Sequence, residues 1–132
     1  MIGVDTNVLL RLYVGDDSRQ HELARAFFAR RSDESPAYIS LIVLVELIWS
    51  LTRTYKYSWN RVYSLVAALA AARDIVMEHE QVIVSAMETA IEKNVGFVDA
   101  IIAAVNAADG CRSTVTFDKK AAGRISSMDL LS

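Results

Sequence analysis

Met1-Ile2-Gly3-Val4-Asp5-Thr6-Asn7 decides how the rest of the chain is read, because a short apolar run there breaks off into a carboxylate, a hydroxyl and an amide. Apolar residues with Gly at the third position suit a central strand buried on both faces, as in parallel sheets flanked by helices. Such a strand delivers its polar residues at its carboxyl end, and in open α/β sheets that edge carries the ligand crevice. The same three polar residues favour turns and helix N-caps, with Val8-Leu9-Leu10-Arg11-Leu12-Tyr13 as the helix they would start. The two roles are compatible, with Asn7 as the cap and Asp5 facing the crevice.

The 132 residues are 53% hydrophobic and 23% charged, which describes a globular chain long enough to bury a core. No linker divides it, so one domain over residues 1–132 is expected. The formal net charge of −2 argues against nonspecific binding of duplex nucleic acid, although a local basic patch can still contact phosphates. Cys111 is the single cysteine, which excludes an intrachain disulfide and a Cys-based zinc site and fits a reducing compartment. A signal-peptide pattern and a membrane-length apolar stretch are both missing, so a cytoplasmic location with no membrane contact is expected.

Outward from the first strand, helix and strand signals alternate. Asp17 with Gln20 three residues on marks the start of a helix to about Arg31, with Leu23, Ala26 and Phe27 as its buried stripe. Ala37-Tyr38-Ile39 reads as a second strand and Ser40 as the next cap. The helix from Leu41 to about Thr54 is apolar all round, predicting burial on most sides, and Glu46 is then a buried charge that requires a cation partner. Ser58 opens a helix with Val62, Leu65, Val66 and Leu69 on one face, Ile75-Val76-Met77 is a weak strand, and Glu80 to Lys93 is strongly amphipathic. A further helix runs from near Phe97 to about Asp109, its core stripe Val98, Ile101, Ile102 and Val105, with Asp99, Ala103 and Asn106 on another face. Ser113-Thr114-Val115-Thr116 is a β-prone strand that ends in Phe117-Asp118.

Each of these acids has an ordinary explanation as a cap, a dipole partner or an ion pair. Jointly they form a pattern: Asp5 and Asp118 end strands, Asp99 opens a helix after a Gly turn, and Glu46 is the sole acid of its helix. In a three-layer α/β domain all four could converge at the strand carboxyl ends. Carboxylates so crowded raise one another's pKa, and a divalent cation resolves the conflict. Oxygen-only ligands select a hard ion, Mg²⁺ or Mn²⁺.

Asp5-Thr6-Asn7, Glu46, Phe97-Val98-Asp99-Ala100-Ile101-Ile102-Ala103-Ala104 and Thr116-Phe117-Asp118 resemble, in order, the four motifs of the PIN-domain family. Within it the chain is most similar to VapC-type toxins of toxin–antitoxin modules. The resemblance implies a central, mainly parallel sheet with helices on both sides, a Mg²⁺- or Mn²⁺-dependent ribonuclease, and a homodimer held by a cognate antitoxin. It casts Asp5, Glu46, Asp99 and Asp118 as the catalytic, metal-binding quartet and Thr6, Asn7 and Thr116 as supporting groups. Two departures stand out. Asn106 occupies a place where many relatives carry a nonpolar or small residue, and the region after Asp118 is short, which leaves a last strand over Met128 to Leu131 open.

The implied chemistry is metal-assisted hydrolysis of RNA phosphodiester bonds. His21 and His79 read as solvated, which disfavours a paired-histidine ribonuclease. Arg11, Arg53, Lys56, Lys119 and Lys120 follow the acidic motifs closely enough to border the crevice and contact single-stranded or looped RNA. More apolar helix is present than one small sheet covers, with Trp49, Leu51 and the Val62 to Leu69 stripe needing burial, so self-association or an antitoxin peptide is expected. Two other readings remain open: a noncatalytic interaction domain whose acids cap helices and pair with Arg, and a phosphotransferase with Asp5 as nucleophile. The second lacks a Gly-rich phosphate loop.

Overall fold

A computed structural model describes all residues, 1–132. The elements run β1 (Ile2–Gly3), α1 (Thr6–Val14), α2 (Ser18–Ala29), β2 (Ala37–Ile39), α3 (Leu41–Arg53), α4 (Trp59–Ala71), β3 (Ile75–Met77), α5 (Glu80–Lys93), α6 (Phe97–Ala108), β4 (Thr114–Thr116), α7 (Lys119–Arg124) and β5 (Met128–Leu130). Every strand pairing is parallel, as expected of an α/β chain whose strands are joined through helices. Two compact units result, Met1–Glu78 and His79–Ser132.

In the first unit the strand order is β1-β2-β3, with Ile2 opposite Ala37 and Ala37 opposite Ile75. The middle strand is therefore β2, whose Ala37 and Ile39 are fully buried. The expectation that Met1–Val4 forms a strand buried on both faces fails: β1 is an edge of this sheet, and Ile2 and Gly3 are exposed. Only Val4, just past the strand, enters the core. At the carboxyl edge, Glu78 follows β3 and its Oε1 accepts the Leu41 N–H at 2.7 Å. A carboxylate there meets one of the N–H groups that the first turn of α3 leaves free, and it suits the positive end of the helix dipole.

Local chemistry sets the helix limits. Asp17 caps α2 by accepting the Gln20 N–H, Ser40 caps α3 by accepting that of Val43, and Ser58 caps α4 by accepting that of Arg61. Gly15 ends α1 in the left-handed region at φ 68°, where a side chain would be strained. The buried faces are narrower than the sequence suggests. In α2 it is Ala24 that is buried, while Leu23, on the neighbouring face, is 59% exposed. In α3, Leu44, Leu47, Ile48 and Leu51 form one buried face toward α1 and α4, while Ile42, Glu46 and Trp49 stay outside. Glu46 therefore needs no buried cation partner, and it forms no ion pair. Leu51, Val62, Val66 and Leu69 are buried within the chain itself, which leaves Trp49 as the exposed part of the apolar excess.

The second unit packs α5 against α6 and lays β4 beside β5, with Thr114 opposite Met128 and Thr116 opposite Leu130. The last strand thus forms. In α5 the buried line is Ile83, Ala86 and Ala90, and Asn94 ends the helix at φ 52°. In α6 the buried residues are Phe97, Ala100, Ile101 and Ala103, a stripe turned from the one expected, with Ile102 44% exposed. Two of these four are alanines, so the buried stripe of α6 is built partly of small residues. Asn106 is not idle, since its Nδ2 donates to Thr114 Oγ1 at 3.0 Å and ties α6 to β4.

Candidate active site

Each unit presents two of the four acids, and each acid is best understood from the element that carries it. Asp5 is itself the N-cap of α1, in extended conformation, with Oδ1 accepting the Thr6 N–H at 2.8 Å. Asn7, expected as the cap, lies one turn-position inside the helix and is exposed. The cap shifts because the helix starts at Thr6, earlier than the apolar run suggested. Asp5 is exposed and its second oxygen carries no hydrogen bond, so it faces outward while supporting the helix. Thr6 Oγ1 beside it is a buried side-chain polar atom without a hydrogen-bond partner. Glu46 lies exposed on α3 against a shallow cavity of about 250 Å³ that Val45, Trp49 and Ser50 also line.

The second unit builds a tighter arrangement. Asp118 caps α7, its Oδ1 accepting the Ala121 N–H at 2.9 Å, while its own N–H donates to Thr116 Oγ1 at 3.0 Å. Thr116 thus fixes the backbone that carries Asp118. Asp99, in the first turn of α6, is half-buried, and its carboxyl is held above the usual range first by burial and then by the charge of Asp118. Two acids here feel each other.

Gly96, which the sequence offers only as the turn before Asp99, is the N-cap of α6. A Cβ at this position would lie 3.0 Å from Asp99 Oδ2, so the missing side chain is what lets the carboxylate fold back toward the helix start. The sequence signal was available in the Gly-x-x-Asp spacing, but a Gly after Asn94-Val95 reads equally well as a turn.

The basic candidates divide. Lys119 and Lys120 are exposed in the first turn of α7, directly after Asp118, and neither is ion-paired. Arg53 ends α3 and Lys56 follows it in the left-handed region at φ 59°, both exposed and unpaired. Arg11 is different: its Nε donates to Gln20 Oε1 and its Nη1 to Asp16 Oδ1, each at 2.7 Å, and Tyr55 followed by Asp16 keeps its pKa above the ordinary arginine value. As a free phosphate ligand Arg11 is compromised. His21 is also not simply solvated, for its Nδ1 hydrogen-bonds the Arg11 carbonyl at 2.8 Å and its ring packs over Gly15. His79 is exposed at the entry to α5.

The donor set is all oxygen, which fits a hard divalent cation. Within neither unit do three or more His, Cys, Asp or Glu side chains gather to hold a metal by themselves. In His79–Ser132, Asp99 has the property a cation would satisfy, a carboxylate whose ionised form is disfavoured first by burial and then by the charge of Asp118.

A model of the PIN domain matches residues 2–125. The chain belongs to the PIN-domain family, and its α/β fold with parallel strands is the fold of that family. PIN domains are generally nucleases and typically use divalent metal ions. A search of curated proteins gave no match. No helix is long and apolar enough to cross a membrane.

Proposed function

We propose that this protein is a Mg²⁺- or Mn²⁺-dependent ribonuclease, the VapC-type toxin of a type II toxin–antitoxin pair, working in the cytoplasm as one functional domain. Its acidic set is Asp5, Glu46, Asp99 and Asp118. The observation that carries the reading is Asp99, half-buried in the first turn of α6, whose ionised form is disfavoured first by burial and then by the charge of Asp118, and would be favoured by a bound cation.

Within His79–Ser132, Asp99 and Asp118 would hold the ion; Asp5 and Glu46 are the acids that the Met1–Glu78 unit presents. When bound, such an ion makes water more acidic and offsets charge that builds on the phosphate. The chain's own contribution is positional. The Ala121 N–H fixes one oxygen of Asp118 and leaves the other outward, and the Thr6 N–H does the same for Asp5. Lys119 and Lys120 set positive charge next to Asp118, where a phosphate would be drawn. No histidine pair is poised to activate the RNA 2′-hydroxyl, since His21 is engaged with Arg11. Trp49, exposed next to Glu46, offers an apolar contact for a second copy of the chain or for a cognate antitoxin.

Incubation with total RNA and Mg²⁺, followed by mapping of new ends, tests this. The expected products carry a 5′ phosphate on the downstream fragment, and a deoxyribose at the cleavage point leaves cleavage measurable. Ends bearing a 2′,3′-cyclic phosphate, or activity that persists in excess chelator, would overturn the reading.

A further inference from the structure

We propose that the cavity between α1 and α2 is a nucleobase subsite, which seats one base of the single-stranded RNA that is cut. This rests on the ribonuclease reading and adds where the substrate is gripped. The cavity measures about 330 Å³ and lies wholly within the Met1–Glu78 unit. Its lining includes Asn7, Val8 and Arg11 from α1 and Gln20, Leu23 and Phe27 from α2. Asn7 stands two residues beyond Asp5, so the cavity is lined from the first turn of the helix that Asp5 caps.

The lining has the chemistry of a base and not that of a phosphate. Arg11 is the only cation in it, and its Nε and Nη1 are already given to Gln20 and Asp16, so little donor capacity faces an anion. What remains is the flat face of a guanidinium clamped at two points, a surface on which planar rings stack. Phe27 is likewise fixed, with the Arg31 guanidinium 4.6 Å from its ring centroid and Phe28 meeting it edge-on at 5.1 Å. Val8 and Leu23 supply apolar wall, and Leu23 is 59% exposed. Two amides complete the set. The Asn7 amide makes no hydrogen bond within the chain, and the Gln20 amide commits only its oxygen, so donors and an acceptor remain for the edge of a base. Aromatic and guanidinium planes with free amides are how unstacked bases of single strands are held.

The test uses the full chain in chelator, so that RNA binds without being cut. The probe is an oligoribonucleotide spanning a mapped cleavage point, with each base in turn replaced by an abasic ribose. One position flanking the cut should lose roughly fivefold to a hundredfold in affinity, the range that stacking of one base commands. In Phe27→Leu that penalty should shrink to less than about threefold, because the intact base no longer gains what the abasic probe lacks. Leu23→Ala, at an exposed position where folding is not at stake, should reduce the same penalty in part and leave the others alone. An abasic penalty at the same position and of the same size in wild type and both variants would overturn the subsite while leaving the ribonuclease reading intact. So would variants that keep full RNA affinity but lose association with a protein partner, which would assign the cavity to a peptide. Failure of the wild type to bind or cut any RNA would overturn both.

Discussion

In Met1–Glu78 the two acids stand apart in character: Asp5 spends one oxygen on the Thr6 N–H, and Glu46 projects from α3 into solvent without a partner. In His79–Ser132, Asp118 is tied down by the Ala121 N–H in much the same way as Asp5, but Asp99 is half-buried and lies within the field of Asp118. The difference separates two uses of a carboxylate. Asp5 and Asp118 begin helices and so stabilise the fold that presents them. Asp99 does the reverse, since burial and a like charge both disfavour its ionised form. A residue kept against the interest of the fold is the one most plainly kept for chemistry.

The strongest way to break that contrast is to remove the charge at Asp99. Asp99→Asn should reduce RNA cleavage by at least about a hundredfold, the scale set by losing one electrostatic element of an active site. Its melting temperature in chelator should be no lower than that of the wild type. Cleavage assays and thermal denaturation on the same preparation check both halves. A large drop in melting temperature would move Asp99 into a structural ion pair and dissolve the distinction from Asp118.

A smaller effect sharpens the other side. Asp118→Ala should cost about 1 kcal/mol through the lost α7 cap, whereas Asp118→Asn, with an oxygen still able to cap, should cost far less and yet be inactive. Glu46→Ala, with neither cap nor partner, should stay within about 0.5 kcal/mol of wild type. Urea denaturation gives these differences. Equal destabilisation by Asp118→Ala and Asp118→Asn would show that charge, not the Ala121 N–H, holds the residue in place.

Elements and caps were largely legible in the chain, since Asp17, Ser40 and Ser58 announce their helices through local chemistry alone. Burial was less legible, because it depends on which neighbour covers a face. The apolar run of α3 reads the same whether one side or all sides are covered, so Glu46 was expected to be buried and is not. Position within a sheet is equally hidden. Ile2 and Gly3 fit a central strand by composition, but they take an edge of the three-stranded sheet. At the candidate site the acids could be picked out as candidates from their strand ends and helix starts, and Thr116 only through the family resemblance. The role of Gly96 and the engagement of Arg11 could not, for both depend on the direction in which a side chain folds back.

The finest test of the contrast is pH. The Asp99 carboxyl titrates above its ordinary value of 3.8, first because burial disfavours the anion and second because Asp118 repels it. The folded chain therefore holds this proton more tightly than the unfolded chain does. By linkage, stability should fall as pH rises from the ordinary value through the raised one, and then level off. Asp99→Asn cannot lose that proton, so its stability relative to wild type should be smallest at low pH, grow across the same window, and remain higher beyond it. Asp118→Asn should narrow the window for the wild-type Asp99 without abolishing it, because burial, the larger cause, persists. The effect is the smallest of the set, since Asp99 is only partly buried and solvent screens much of the repulsion. Urea midpoints in chelator, taken from about pH 3 to about pH 7, should resolve it as a difference between curves. If Asp99→Asn were less stable than wild type above the window, the ionised Asp99 would be a group that the fold favours, and its kinship would lie with Asp5 and not with the chemistry.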